Sequence, residues 1–321
     1  MKARDGDRRS ADKGGRYLTV CLNPVIQKTI VFGRLDKGEV NRSSEYRVDV
    51  AGKGVCCARV LGQLGRDALH LTQLGGPTRD WFLAMCEADG LNVRWVESGS
   101  DIRFCTTVID SSEGSATELV EEARQVAAGT GERIIEEYSA ILPGCATVML
   151  SGTKAAGFPP DIMPRMAALA AEAGKRLVLD IKGRDLIDSL ACRPTIVKPN
   201  LEELLQTYDP DGASASRGPA GLDEGKMREL VADVGREYKE RYGAWLIVTR
   251  GPKPTLFWDG STLRDCPVLP IEALNPIGSG DSFNVGAATA LEDGATIAEA
   301  VAEGTRLGAL NAQRLKPGSI L

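Results

Sequence analysis

From Ile134 onward, helix-length and strand-length patterns take turns without a break, and that alternation constrains the fold more than any other feature of the chain. Apolar residues recur at helical spacing over 131–141, 161–173, 184–190, 201–207 and 223–241. Between them lie the strand-like runs 146–151, 176–181, 195–198 and 244–250. A hairpin over 254–266 follows, then helices over 280–291 and 296–312. Strands separated by helices pair in parallel, and a parallel sheet needs cover on both faces. Such sheets bind ligands at the carboxyl ends of their strands. Asp209 to Gly221 interrupts the pattern and reads as a polar surface loop.

The first part of the chain is less regular. Tyr17 to Leu22 reads as a buried strand ending in an Asn23-Pro24 turn. Strands are expected over 29–33 and 44–50, then a helix from Val55 to Leu64 stopped by Gly65. Ala68 to Gly75 reads as a strand and Thr78 to Asp89 as a helix. The runs 91–96, 104–110 and 117–120 follow without helices between them, so they are expected to join the earlier pair in a small second sheet. The expected fold class is α/β, a three-layer domain over 17–321 with a mostly parallel central sheet. A small β-sheet lid is expected from about 28–50 and 91–122, and residues 1–16, charged and without an apolar stretch, read as a disordered tail.

Composition excludes several classes of function. The 321 residues, 43% of them hydrophobic, suit one large α/β domain. No apolar run approaches the roughly 20 residues that span a membrane. The net charge of −5 comes from interspersed charges, so no nucleic-acid surface is expected and any anion site must be built locally. The eight cysteines contain no CxxC pair, and Cys56 and Cys57 are adjacent. They read as reduced core residues of a cytoplasmic protein rather than as zinc ligands or disulfides. His70, the only histidine, lies in the strand-like Ala68 to Thr72 with no catalytic partner, which argues against Ser-His-Asp hydrolysis.

The segment Asn275-Pro276-Ile277-Gly278-Ser279-Gly280-Asp281-Ser282-Phe283 carries the strongest chemical signal. Glycines let backbone N–H groups turn inward, and a helix N-terminus adds positive partial charge. Together they make a hole for a terminal phosphate, with Asp281 in the first helical turn beside it. A carboxylate there can be a first-turn acid that favours the helix, or the base that deprotonates a hydroxyl attacking phosphorus. The pattern GxxxxGK[ST] of a P-loop is absent, and Phe283 stands where a dinucleotide fingerprint needs its third glycine.

This segment resembles the TVGAGDSF signature of the phosphofructokinase B family of sugar kinases, which has a ribokinase-like fold. Further segments match in order. Leu22-Asn23-Pro24 is similar to the opening strand of the 1-phosphofructokinase and tagatose-6-phosphate kinase branch, and Ala51 to Ala58 to its GGKGxNVA motif. Arg103 stands where that branch has a lid arginine, and Ser151-Gly152-Thr153 resembles SGS. Lys198 to Leu204 matches KPNxxEL, and Thr249-Arg250-Gly251 resembles the nucleotide-binding turn.

The resemblance implies an ATP- and Mg²⁺-dependent kinase acting on a sugar phosphate. Asp281 would be the base, with the N–H groups of Gly278, Ser279, Gly280 and Asp281 around the transferring phosphoryl group. Asn200 and Glu203 would hold Mg²⁺ through water, unless they serve only as a helix capping box. Thr249, Gly251 and Asn311 would line the nucleotide site, Asn311 near the base. Gln27, Gly52, Lys53, Cys56 and Arg103 would face the acceptor, with Lys53 and Arg103 suited to its phosphate. A homodimer through the lid is also implied.

The acceptor side departs from the family pattern. Gln27 replaces a sugar-binding Asp, Cys56 an Asn, Ala51 a Gly and Pro276 a Thr, and Thr153 to Gly157 replaces SLPPG. These changes fit an unusual sugar or a nucleoside as acceptor, or a non-catalytic sensor on the same fold.

Overall fold

The side chains of each strand alternate between two apolar surfaces, and the layers follow from that. The computed structural model describes residues 15–208 and 223–321. Of the tail expected over 1–16, residues 1–14 lie outside the described residues, as does the loop expected over 209–221, while Arg16 is held in place, its carbonyl accepting from Ala146 N at 2.8 Å. The strands are β1 (Tyr17–Cys21), β2 (Val25–Phe32), β3 (Glu45–Ala51), β4 (Ala68–Leu74), β5 (Asn92–Glu97), β6 (Arg103–Asp110) and β7 (Ser115–Val120). They continue as β8 (Thr147–Ser151), β9 (Arg176–Asp180), β10 (Ile196–Val197), β11 (Trp245–Arg250), β12 (Lys253–Trp258) and β13 (Leu263–Cys266). The helices are α1 (Lys53–Gln63), α2 (Arg79–Ala88), α3 (Thr130–Ile141), α4 (Ile162–Glu172), α5 (Gly183–Ser189) and α6 (Leu201–Tyr208). Then come α7 (Glu224–Glu237), α8 (Ser279–Glu292) and α9 (Ile297–Ala312).

Among the described residues the large sheet has nine strands in the order β13-β12-β11-β10-β9-β8-β1-β4-β5. All neighbours from β11 to β5 pair in parallel, and β12 and β13 add an antiparallel hairpin. Leu18, Val20, Val148, Leu150, Leu177 and Leu179 bury one face against α3, α4 and α7. Tyr17, Met149, Val178 and Ile247 bury the other against α1, α8 and α9. Each such side chain contributes roughly 1.5–3 kcal/mol on burial. Gly54 lets α1 close on β1, because a Cβ there would stand 2.6 Å from the carbonyl oxygen of Val20.

The small sheet has the order β3-β2-β6-β7. The run expected over 91–96 is not part of it. It forms β5, which pairs with β4 at the edge of the large sheet, in register Leu69↔Asn92. Helix α2 joins the two strands as a crossover, so the βαβ pattern already operates in the first third of the chain. An edge strand keeps one side in solvent, and the polar Asn92, Arg94 and Glu97 of β5 imitate a lid strand for that reason.

All eight cysteines are free thiols. His70 is fully buried, its Nδ1 2.8 Å from Thr19 Oγ1, and burial pulls its pKa down to about 3. It is a neutral structural residue.

Candidate active site

The loop before α8 is held open by a network of side chains. Gly278 caps the helix in the left-handed region, with φ +84°, and a Cβ there would lie 2.3 Å from Gly318 N. Only glycine fits. Ile277 N donates to Asn275 Oδ1 at 3.1 Å, and Asn275 Nδ2 donates to Leu315 O at 2.9 Å. Asn311 donates from Nδ2 to Ile277 O at 2.9 Å and to Ser279 Oγ at 3.0 Å, and its Oδ1 accepts from Ser319 N at 3.0 Å. The N–H groups of Gly278, Gly280 and Asp281 meet no acceptor among the described residues. They are the first-turn donors that a helix leaves unsatisfied, and here they face a cavity.

Two expectations need correction. Ser279 N–H does not belong to the hole, because it donates to Pro276 O at 3.1 Å to close the turn. Asn311 does not itself line the cavity. It is fully buried beneath the loop, with both ends of its amide engaged.

Asp281 is 7% exposed, and a second carboxylate, Asp180 at the end of β9, is 1% exposed. Asp180 accepts from Lys53 Nζ at 2.9 Å and from Asn284 Nδ2 at 2.8 Å, with Lys198 Nζ at 3.6 Å. Lys53 Nζ also reaches Glu203 Oε1 at 2.8 Å. Burial, reinforced by the charge of Asp180, pushes the Asp281 pKa up to about 7, against the pull of Lys53, Lys198 and the Cys56 thiol. Burial also opposes ionisation of Asp180, yet Lys198 and Lys53 outweigh it and hold Asp180 below its ordinary value. For Lys53 burial disfavours the charge, but Asp180, Glu203 and Asp281 overcome it and raise the pKa. The site therefore holds one carboxylate firmly ionised and a second poised near neutrality, the arrangement that general base catalysis needs.

Lys198 has a further task. A Cβ on Gly280 would stand 3.5 Å from Lys198 Nζ, so the ammonium lies close against the glycine loop and adds positive charge to the hole. Sequence reasoning gave Asp180, Lys198 and Asn284 no role. A carboxylate closing an apolar strand at the ligand-binding edge was the available signal for Asp180.

The cavity measures about 980 Å³, large enough for two small ligands together. Gly278, Ser279, Gly280 and Asp281 form one wall. Gln27, Gly52, Lys53, Cys56 and Arg103 line the side toward the small sheet, and Asn200, Glu203, Thr249 and Gly251 a third side. Asn200 and Glu203 form the reciprocal cap of α6, with Asn200 N to Glu203 Oε2 at 2.9 Å and Glu203 N to Asn200 Oδ1 at 2.8 Å. Both also face the cavity, where their remaining lone pairs suit hydrogen bonds from metal-bound waters better than direct ligation. Among the described residues, no group of three or more His, Cys, Asp or Glu could hold a metal ion directly. Lys53 is half-buried and paired with two carboxylates. Arg103 donates to Glu121 O at 3.1 Å, while its buried Nε has no partner among the described residues.

The model of the pfkB family carbohydrate kinases matches residues 21–321. A possible 1-phosphofructokinase of Thermotoga maritima is similar in structure, with a TM-score of 0.80 and 19% identity, over 94% of this chain and 93% of that one. Phosphofructokinase-2 of Escherichia coli, in complex with fructose-6-phosphate, is similar with a TM-score of 0.76 and 20% identity, over 95% of each chain. These likenesses show the ribokinase-like fold, a mostly parallel α/β sheet with a small separate sheet.

Proposed function

The chain belongs to the pfkB family of carbohydrate kinases, and from that premise we propose that it transfers the γ-phosphoryl group of ATP to a hydroxyl of a sugar phosphate, as a 1-phosphofructokinase or tagatose-6-phosphate kinase does. One observation carries the reading. Three N–H groups without acceptors among the described residues, those of Gly278, Gly280 and Asp281, belong to the wall of the same cavity as a carboxyl group whose pKa burial pushes up to about 7.

In this mechanism Asp281 accepts the proton of the acceptor hydroxyl as its oxygen bonds to the γ-phosphorus, and the bond from that phosphorus to the β–γ bridging oxygen breaks to release ADP. The three amides and Lys198 surround the developing charge with preorganised donors, which costs no reorganisation during the reaction. Thr249 and Gly251 border the nucleotide end, beside an apolar wall that includes Leu269, Ile271 and Ala309. Asn200 and Glu203 would hold Mg²⁺ through its waters, and the ion would neutralise charge on the β- and γ-phosphates. Arg103 is placed for a phosphate on the acceptor, since its guanidinium keeps donors free. The small sheet would exclude water that competes with the acceptor. Tyr46 and Leu119, exposed on that sheet, support a homodimer through the lid. Among the described residues no helix is long and apolar enough to cross a membrane, and free thiols suit a cytoplasmic enzyme.

The test measures ADP formation with fructose 1-phosphate, fructose 6-phosphate, tagatose 6-phosphate and the unphosphorylated sugars. Arg103→Ala should raise KM for the phosphorylated acceptor roughly 10- to 100-fold and leave KM for ATP within about twofold. Absence of ADP above background with every sugar phosphate refutes the reading. So does an Arg103→Ala defect of equal size for free and phosphorylated sugars.

A further inference from the structure

The acceptor end of the cavity is more apolar than a site for a fully hydroxylated sugar should be. Val25, Ala51, Cys56 and Cys105 form a contiguous apolar cluster, and all four line the cavity. Val120, the cross-strand partner of Cys105, extends it. Cys56 belongs to this surface and neighbours Asp281, the carboxylate that receives the acceptor's proton.

The polar side chains at this end are Gln27, Lys53, Arg103 and Glu118, and Glu118 stands on β7 beside Val120 rather than at Cys56. Gln27 donates from Nε2 to Thr107 Oγ1 at 2.8 Å, which leaves its Oε1 as an acceptor for the ligand. Lys53 is held by Asp180 and Glu203. A thiol is a weak donor and a weak acceptor, and burial keeps Cys56 from ionising. A sugar hydroxyl turned toward this cluster would lose its water and gain no partner of comparable strength.

The groups that remain describe a ligand. Arg103 can take a phosphate, Asp281 the reacting hydroxyl, and Gln27 Oε1 and the Glu118 carboxylate further donors. The surface of Cys56, Cys105 and Val25 asks for bare carbon. We infer that the acceptor is a deoxy-sugar phosphate, whose deoxygenated carbon packs on the Cys56–Cys105–Val25 surface. The inference rests on the sugar-phosphate kinase reading above.

The direction of the preference tests it. A site built to hydrogen-bond a hydroxyl rejects the analogue lacking it by roughly 10⁴-fold, whereas an apolar pocket disfavours an added hydroxyl by only about 10²-fold. Each hexose phosphate named above is therefore compared with its monodeoxy analogues on the unaltered enzyme, by ADP formation and by calorimetric binding. The expected result is one monodeoxy isomer with kcat/KM roughly 10- to 100-fold above its parent. Cys56→Asn, with folding checked by circular dichroism, should bring that ratio to one or below by giving the extra hydroxyl a partner. ADP formation in which every parent equals or exceeds its deoxy analogues overturns the inference and leaves the kinase standing. No ADP with any phosphorylated sugar removes the kinase reading and this one together.

Discussion

Replacing Asp281 by Asn keeps the shape of the side chain and removes its charge, so it separates catalysis from stability in one variant. The folded chain holds the Asp281 proton up to about pH 7, whereas an unfolded aspartate releases it near its ordinary value of 3.8. Ionisation therefore penalises the folded state increasingly as pH rises above 3.8, and the penalty is complete above about 7. At 1.36 kcal/mol per pH unit, the gap amounts to about 4 kcal/mol at pH 8 and to less than half of that at pH 5. Unfolding entropy scales at about 2.1 cal/mol/K per residue, so a chain of this length gains about 6 °C in Tm from that energy. Asp281→Asn should therefore melt about 6 °C above the wild type at pH 8, with a clearly smaller difference at pH 5. The same variant should lose roughly 10²- to 10⁴-fold in kcat, and the wild-type kcat/KM should climb with pH to a plateau above about 7. Calorimetric melts at both pH values and a coupled ADP assay supply the numbers. A variant with near-normal kcat, or one whose stability change is the same at pH 5 and pH 8, would refute the reasoning.

Two further substitutions probe the surroundings of that carboxylate. Lys53→Met deprives Asp180 of a 2.9 Å partner and removes an attraction that lowers the Asp281 pKa. It should destabilise the fold by roughly 3 kcal/mol in urea titrations and move the acidic limb of the rate profile to higher pH, and a limb that stays in place would contradict the electrostatic assignment. Gly278→Ala forces a side chain into φ +84° and against the backbone of Gly318. The expected outcome is a loss of roughly 10²- to 10³-fold in kcat with little change in the circular dichroism spectrum. Retention of wild-type kcat would mean that the loop does not shape the hole.

What could be read from the sequence was local. Gly278, Gly280 and Asp281 announce a phosphate-binding helix start because glycine placement and helix polarity act within a few residues. The layers followed from runs such as Val148 to Leu150, whose alternate burial the strand period requires. The misassignment of 91–96 arose because an edge strand of a large sheet and a lid strand share one half-exposed pattern. The Asp180 network escaped notice because its contacts join residues 127 and 104 apart, to Lys53 and Asn284. No periodicity encodes such pairs. The burial of Asn311 was hidden for the same reason. An asparagine on a helix face does not reveal that its amide turns back under a loop 34 residues earlier.

Strand β1 lies between β4 and β8, so Tyr17 pairs with both Ala68 and Thr147. It is the seam of the large sheet: β4 and β5 lie to one side and β8 to β13 to the other. The Lys53–Asp180 pair bridges that seam, with Lys53 contributed before β4 and Asp180 by β9. Folding must therefore join residues about 130 positions apart before the carboxylates acquire their final charges, a demand that slows the search for the native state. The charges that tune the chemistry thus depend on the same long-range pairing that closes the sheet.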